Sequence, residues 1–287
     1  MSQRHCFFAM GTEVELLLEA APGVESALAL LGAEREIRRL EAALSRFRPD
    51  SELSELNREG AIEAGPDLVR VTGLALEARE RTGGRFDPTV HDALVAAGYD
   101  RSFEEVPPDG ASSPSERTPC GGGVRIDQAK GRIELEPGVR LDLGGIAKGY
   151  AVDRACELLA RAGDCLANAG GDVAVHGSWP IGVEMAKGTL TLALDRGALA
   201  TSGRDRRRWR RDGEERHHII DPTTGRPAAS DLLRVTAFGE TAVEAEVLAK
   251  ALFLAGAEEA EREAARLDVP CVLVTGEGRT VLAGSLR

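Results

Sequence analysis

Runs of alternating apolar and polar residues, each of strand length, arrive in clusters along this chain, and helical stretches separate the clusters without interleaving them one for one. That order constrains the fold more than any other feature. Regular strand-helix-strand alternation would build a parallel, doubly wound sheet; its absence favours an α+β fold of mixed, mostly antiparallel sheets with packed helices. Residues 12–19 carry Val14, Leu16 and Leu18 on one face, the period of a half-buried strand. From 24 to about 47, Leu28, Leu31, Ile37, Leu40 and Leu44 recur at three- and four-residue steps and predict an amphipathic helix. Pro66 suits the first turn of a second helix reaching about Arg81, which Gly83 and Gly84 end. Further on, RIELE, VRLDL, 165–175, TLTLAL, HHIID, LLRVTAF, CVLVTG and RTVLAG read as strands, and 151–162, 243–256 and 258–266 as helices.

With 47 acidic and 36 basic side chains the net charge is −11, which argues against a general nucleic-acid binder. The 287 residues are read as one domain, with an exposed loop or insertion at 100–123 where Pro, Gly and Ser crowd into VPPDGASSPSERTPCGGG. No apolar run is long enough to span a membrane, and MSQRHCFFAMGTEVE lacks the apolar stretch of a signal peptide, so the expected location is the cytoplasm. Five cysteines without a CxxC pair are expected to be reduced thiols. The basic run RDRRRWRRD at 204–212 reads as a solvated hairpin rim or as an anion or partner contact.

Several clusters mix glycine with fixed polar residues. In Leu141-Asp142-Leu143-Gly144-Gly145-Ile146-Ala147-Lys148-Gly149, a strand is expected to end at Asp142 and a helix to begin near Lys148, so free amides and a lysine suit a phosphate. The spacing matches neither GxxxxGK[ST] nor GxGxxG. Gly83-Gly84-Arg85-Phe86-Asp87-Pro88-Thr89-Val90 fits a planar ligand or, equally, a helix-ending loop capped by Asp87 or Thr89. Asn168-Ala169-Gly170-Gly171-Asp172 suggests a bulge, and His218 beside two isoleucines is by itself a structural histidine more often than a catalyst.

Taken in order, MGTEVELLL, SRFRPDSELSELN, GGRFDPTV, LDLGGIAKGYAVD, NAGGDVAVHG, TSG and HIIDPTTGRPA resemble the motif series of the ApbE family, the FAD:protein FMN transferases, over roughly residues 8–256. The resemblance implies that family's α+β fold and a bound FAD. It further implies a flavinylation reaction, a transfer of a phosphorus-containing group in which FAD is cleaved with a divalent metal such as Mg²⁺. AMP leaves, and FMN becomes attached through its phosphate to a Ser or Thr of an acceptor protein. By motif position Met10, Phe47, Arg85, Phe86, Asp87, Asp142, Lys148 and Ile219 fall where the family contacts FAD, with Phe47 in place of a common tyrosine, and His218 matches the histidine beside the reacting phosphate.

One departure stands out. The resemblance places metal ligands at the carbonyl of Gly145 and at Glu246 and Lys250, where the family has Asp and Thr. A carboxylate still suits a hard cation, but an ammonium has no lone pair to give. Glu246 and Lys250, four apart on a helix, are expected to pair, the ammonium standing about where the metal would. Activity is then expected to be weak or metal-independent. The other readings are an FAD-binding protein impaired in catalysis, serving as carrier or regulator, and an FAD pyrophosphatase.

Overall fold

The computed structural model describes residues 2–110, 118–211 and 213–286, and part of the expected loop at 100–123 (111–117) lies outside them. The described chain divides into two compact units. Unit 1 comprises 1–41, 146–203 and 230–287; unit 2 comprises 42–145 and 204–229.

Unit 1 is built on an eight-stranded sheet whose order is Ser2–Ala9, Thr12–Glu19, Asp164–Ala169, Asp172–Glu184, Thr189–Gly203, Leu232–Gly239, Cys271–Thr275 and Thr280–Ala283. Every neighbouring pair is antiparallel. Helices α5 (Ala147–Leu159) and α6 (Ala242–Ala255) pack on its central strands. Strand Asp172–Glu184 records that cover in its sequence: residues 172–175 are all buried, whereas from Trp179 onward burial alternates, leaving Trp179, Ile181 and Val183 on one apolar face. Helix α7 (Ala257–Leu267) follows α6 after Gly256.

Helix α1 (Val24–Leu44) starts in unit 1 and ends in unit 2. Its buried stripe is Leu30, Ala33, Ile37, Leu40 and Leu44, so the expected face is shifted: Leu28 and Leu31 are 57% and 47% exposed. Alanine at 33 supplies a close-packed position that an apolar count weighted to leucine overlooks.

Unit 2 holds α2 (Glu52–Glu59), α3 (Pro66–Arg81), α4 (His91–Ala96) and three small sheets. Ser51 caps α2 by accepting from the Ser54 amide at 3.0 Å. Gly83 and Gly84 both take positive φ after α3, as the sequence requires. One sheet pairs Arg208–Arg211 with Glu214–His217 and, in parallel, with Asp109–Gly110. This places the basic run on a hairpin. Within it Trp209 points inward and donates from Nε1 to the Ala97 carbonyl at 2.8 Å, while Arg208 and Arg210 face solvent.

Three expected strands change. Residues 139–143 form no strand. The stretch 165–175 is two antiparallel strands joined at Gly170-Gly171, both with positive φ, so the NAGGD block is a two-residue hairpin turn instead of a bulge. HHIID is interrupted: His218 and Ile219 lie between strands Glu214–His217 and Ile220–Asp221.

Candidate functional site

In unit 2 the segment 141–145 lacks a strand ladder because side chains from the SRFRPDSELSELN block supply its hydrogen bonds. Asn57 clamps the backbone of Leu141 from both sides, donating from Nδ2 to its carbonyl at 2.8 Å and accepting its amide at 2.7 Å. The Asp142 amide donates to the Pro88 carbonyl at 2.8 Å, which ties in the GGRFDPTV block. Asp142 Oδ1 accepts from the Gly144 amide at 2.9 Å, and its Oδ2 is held by Arg46 Nε. Arg46 also donates to the Tyr99 carbonyl at 2.7 Å. Three blocks far apart in sequence therefore fix one short, glycine-containing turn. Arg46 and Asn57 carry the arrangement; both stand in the SRFRPDSELSELN block, and their place in it is the one sequence signal that marks them.

The neighbouring turn is self-satisfied. Asp87 Oδ1 accepts from the Thr89 amide and hydroxyl at 2.8 and 2.7 Å, and Thr89 Oγ1 accepts from the Gly121 amide at 2.7 Å. Arg79 faces Asp87 at 3.4 Å and donates to the carbonyls of Gly121 and Gly122. Phe86 is buried, and Arg85 is half-buried. The Asp87 carboxylate thus closes a turn within the loop and caps neither flanking helix, α3 ending at Thr82 and α4 starting after Val90.

The two adjacent histidines differ in kind. His217 is buried; its Nε2 meets the Ala228 carbonyl at 3.0 Å and its Nδ1 accepts from the Ile219 amide at 3.3 Å, which fixes a neutral ring with the proton on Nε2. Burial lowers its pKa, the direction of a neutral structural histidine. His218 is half-buried, in the strand break beside buried Ile219.

In unit 1 the expected residues lie at two places, the first hairpin turn and the junction of α5 with α6. Met10 sits with Gly11 in the two-residue turn between the first two strands, at φ 55°, and its amide donates to Glu41 Oε1 at 2.5 Å. Positive φ on a non-glycine residue is a strained choice, held here by that acceptor. Lys148, near the start of α5, bridges two buried carboxylates: Asp172, which follows the NAGG turn, and Glu246 Oε1 at 2.6 Å. Glu246 Oε2 accepts from the Gly149 amide at 3.0 Å. Both carboxylate oxygens of Glu246 are thus engaged by α5. Gly149 makes this geometry available, because a Cβ there would lie 2.6 Å from the Ala242 carbonyl oxygen, so only glycine lets α5 and α6 come this close. Burial, then the Glu246 charge, push the Asp172 carboxyl up, against the pull of Lys148 and Lys250.

The predicted site residues thus fall into two sets. Unit 1 holds Met10, Lys148, Glu246 and Lys250, to which the structure adds Asp172. Unit 2 holds Phe47, Arg85, Phe86, Asp87, Asp142, Gly145, His218 and Ile219, to which it adds Arg46 and Asn57.

The family model described as the ApbE family matches residues 10–273. The chain is 31% identical over 272 residues to a protein named FAD:protein FMN transferase from Treponema pallidum (strain Nichols), covering 83% of this chain and 74% of that one. It is 27% identical over 296 residues to the Vibrio cholerae protein of the same name, covering 96% and 89%. Among solved structures, the ApbE protein of Thermotoga maritima superposes with a TM-score of 0.87 at 27% identity, covering 100% of this chain and 98% of that one.

Proposed function

Because the chain belongs to the ApbE family, we propose that it is an FAD:protein FMN transferase. A Ser or Thr hydroxyl of an acceptor protein attacks the FMN phosphorus of FAD; the bond from that phosphorus to the bridging oxygen breaks, and AMP leaves carrying the oxygen. The hydroxyl must lose its proton as the new P–O bond forms. His218 is the proposed base or orienting group, with His217 excluded from that role by its two backbone hydrogen bonds. Met10, Phe47, Arg85, Phe86, Asp87, Asp142, Lys148 and Ile219 are the proposed FAD contacts. The observation that carries the reading is the convergence of the 45–57, 83–90 and 141–145 blocks on one turn, in a chain matched by the family over nearly its whole length.

The residues at the proposed metal position do not fit a divalent cation. Glu246 is bonded to Lys148 and the Gly149 amide, and Lys250 brings a second ammonium where a ligand would be needed. No step of the reaction is assigned to Mg²⁺. One ammonium between two carboxylates neutralises charge but offers no open coordination position. This observation favours one alternative, an FAD-binding protein of reduced activity. Incubation with FAD and candidate acceptors, with and without Mg²⁺, followed by AMP analysis and intact mass, separates the cases. Transfer adds the mass of FMN to the acceptor, pyrophosphatase action releases AMP without an acceptor, and FAD binding with neither product leaves the carrier role. A chain that binds no FAD contradicts all three.

A further inference from the structure

Arg46 joins the turn at Asp142 to the aromatic residues beside it. It follows the end of α1, and its side chain is 5% exposed. The guanidinium carbon lies 4.1 Å from the centroid of the Phe47 ring and 4.9 Å from that of Tyr99. The two rings are 5.4 Å apart and tilted by 55°, and Tyr99 in turn packs on Trp209 at 5.6 Å. Hydrogen bonds to Asp142 and to the Tyr99 carbonyl fix the guanidinium in its own plane. A planar cation held at its edge by a carboxylate and a carbonyl, with its surface against rings, has no freedom to turn. Phe47 is only partly buried, so a ring braced by Arg46 still offers some surface to a ligand.

We propose that Arg46 is a positioning residue that couples the turn at Asp142 to the orientation of Phe47, so that the two ends of a bound FMN moiety are set by one side chain. The inference rests on the FAD-binding reading above. Lysine in its place would keep a charge near Asp142 but is a point donor without a plane, so it would leave the Phe47 ring unbraced. Purely structural support predicts a different result, since restoring the charge would then restore the site.

The test is FAD titration of the full chain by fluorescence, together with the visible absorption band of the bound flavin and the melting temperature. Arg46→Lys is expected to melt near the parent temperature, to weaken FAD binding by about tenfold, and to show the flavin band of Phe47→Ala. The Arg46→Lys/Phe47→Ala double variant should bind FAD no more weakly than Phe47→Ala alone, because the two act through one ring. Parent-like affinity and band in Arg46→Lys, or losses that add in the double variant, overturn the proposal. If Arg46→Lys does not fold, Arg46→Gln decides, since its planar amide can still lie on the ring: the parent band supports the proposal and the Phe47→Ala band overturns it. Absence of FAD binding by the unmodified chain removes the premise as well, whereas failure in the variants alone leaves the transferase reading intact.

Discussion

His218 and Lys250 carry the sharpest single-residue consequences. If His218 acts on the reacting hydroxyl, His218→Ala should lower transfer by about 10²-fold or more while FAD affinity changes little, because a proton-transfer role contributes only as the bond forms. Equal loss of both in a titration and a turnover assay would assign it to binding. At the lysine-bridged carboxylates, FAD affinity should be indifferent to EDTA. Lys250→Thr combined with Glu246→Asp should create Mn²⁺ binding visible by electron paramagnetic resonance, since it removes an ammonium and restores oxygen ligands. EDTA-sensitive FAD binding in the unmodified chain would show that a cation is held there despite the two lysines. At this scale the sequence reveals identity better than partnership. His217 and His218 are the same residue type side by side, and what separates them is that backbone groups occupy both ring nitrogens of His217. Arg46 and Asn57 were hidden because their partners lie far along the chain, Leu141 being 84 residues from Asn57.

The meeting of α5 and α6 is the element on which the unit 1 site depends. Gly149→Ala would press a methyl group against the α6 backbone, where no flexible side chain can yield, so a loss of about 3 kcal/mol or more is expected in denaturant unfolding. Asp153 completes the junction by accepting the amides of Ala242 and Val243 at 2.7 and 3.1 Å, at the start of α6. Burial raises its pKa from 3.8 to about 6, overcoming those two bonds. A raised carboxyl pKa means the folded state binds the proton more tightly than the unfolded chain does. Stability from this group is therefore greatest below about pH 4 and declines as pH rises through about 6. Asp153→Asn does not titrate, so its melting temperature should gain on the parent's between those limits; a constant difference would refute the assignment. Strict alternation made strand Thr12–Glu19 and the first part of Thr189–Gly203 legible, and Pro66 with Gly83 and Gly84 bounded helix α3. The segment VRLDL has the alternation of a strand, but periodicity cannot register that an asparagine side chain takes the place of a neighbouring strand.

For the whole molecule, the α+β class followed from the order of elements, and the antiparallel eight-stranded sheet agrees with it. What no local pattern announces is that this sheet draws its strands from three separate stretches of chain. A fragment ending at Gly203 loses the strand Leu232–Gly239 that pairs with Thr189–Gly203, and α6 with it. It should lack cooperative melting by circular dichroism, and a fragment that melted sharply would contradict the dependence of the central strands on their late partner. The Asn57 clamp on Leu141 has a further meaning. By joining positions 84 residues apart, it makes everything between them a closed ring whose junction is insensitive to circumference. Lengthening such a ring by ten residues costs only about 0.1 kcal/mol of closure entropy, so insertions in this stretch should leave the shape of the clamped turn at Asp142 unchanged.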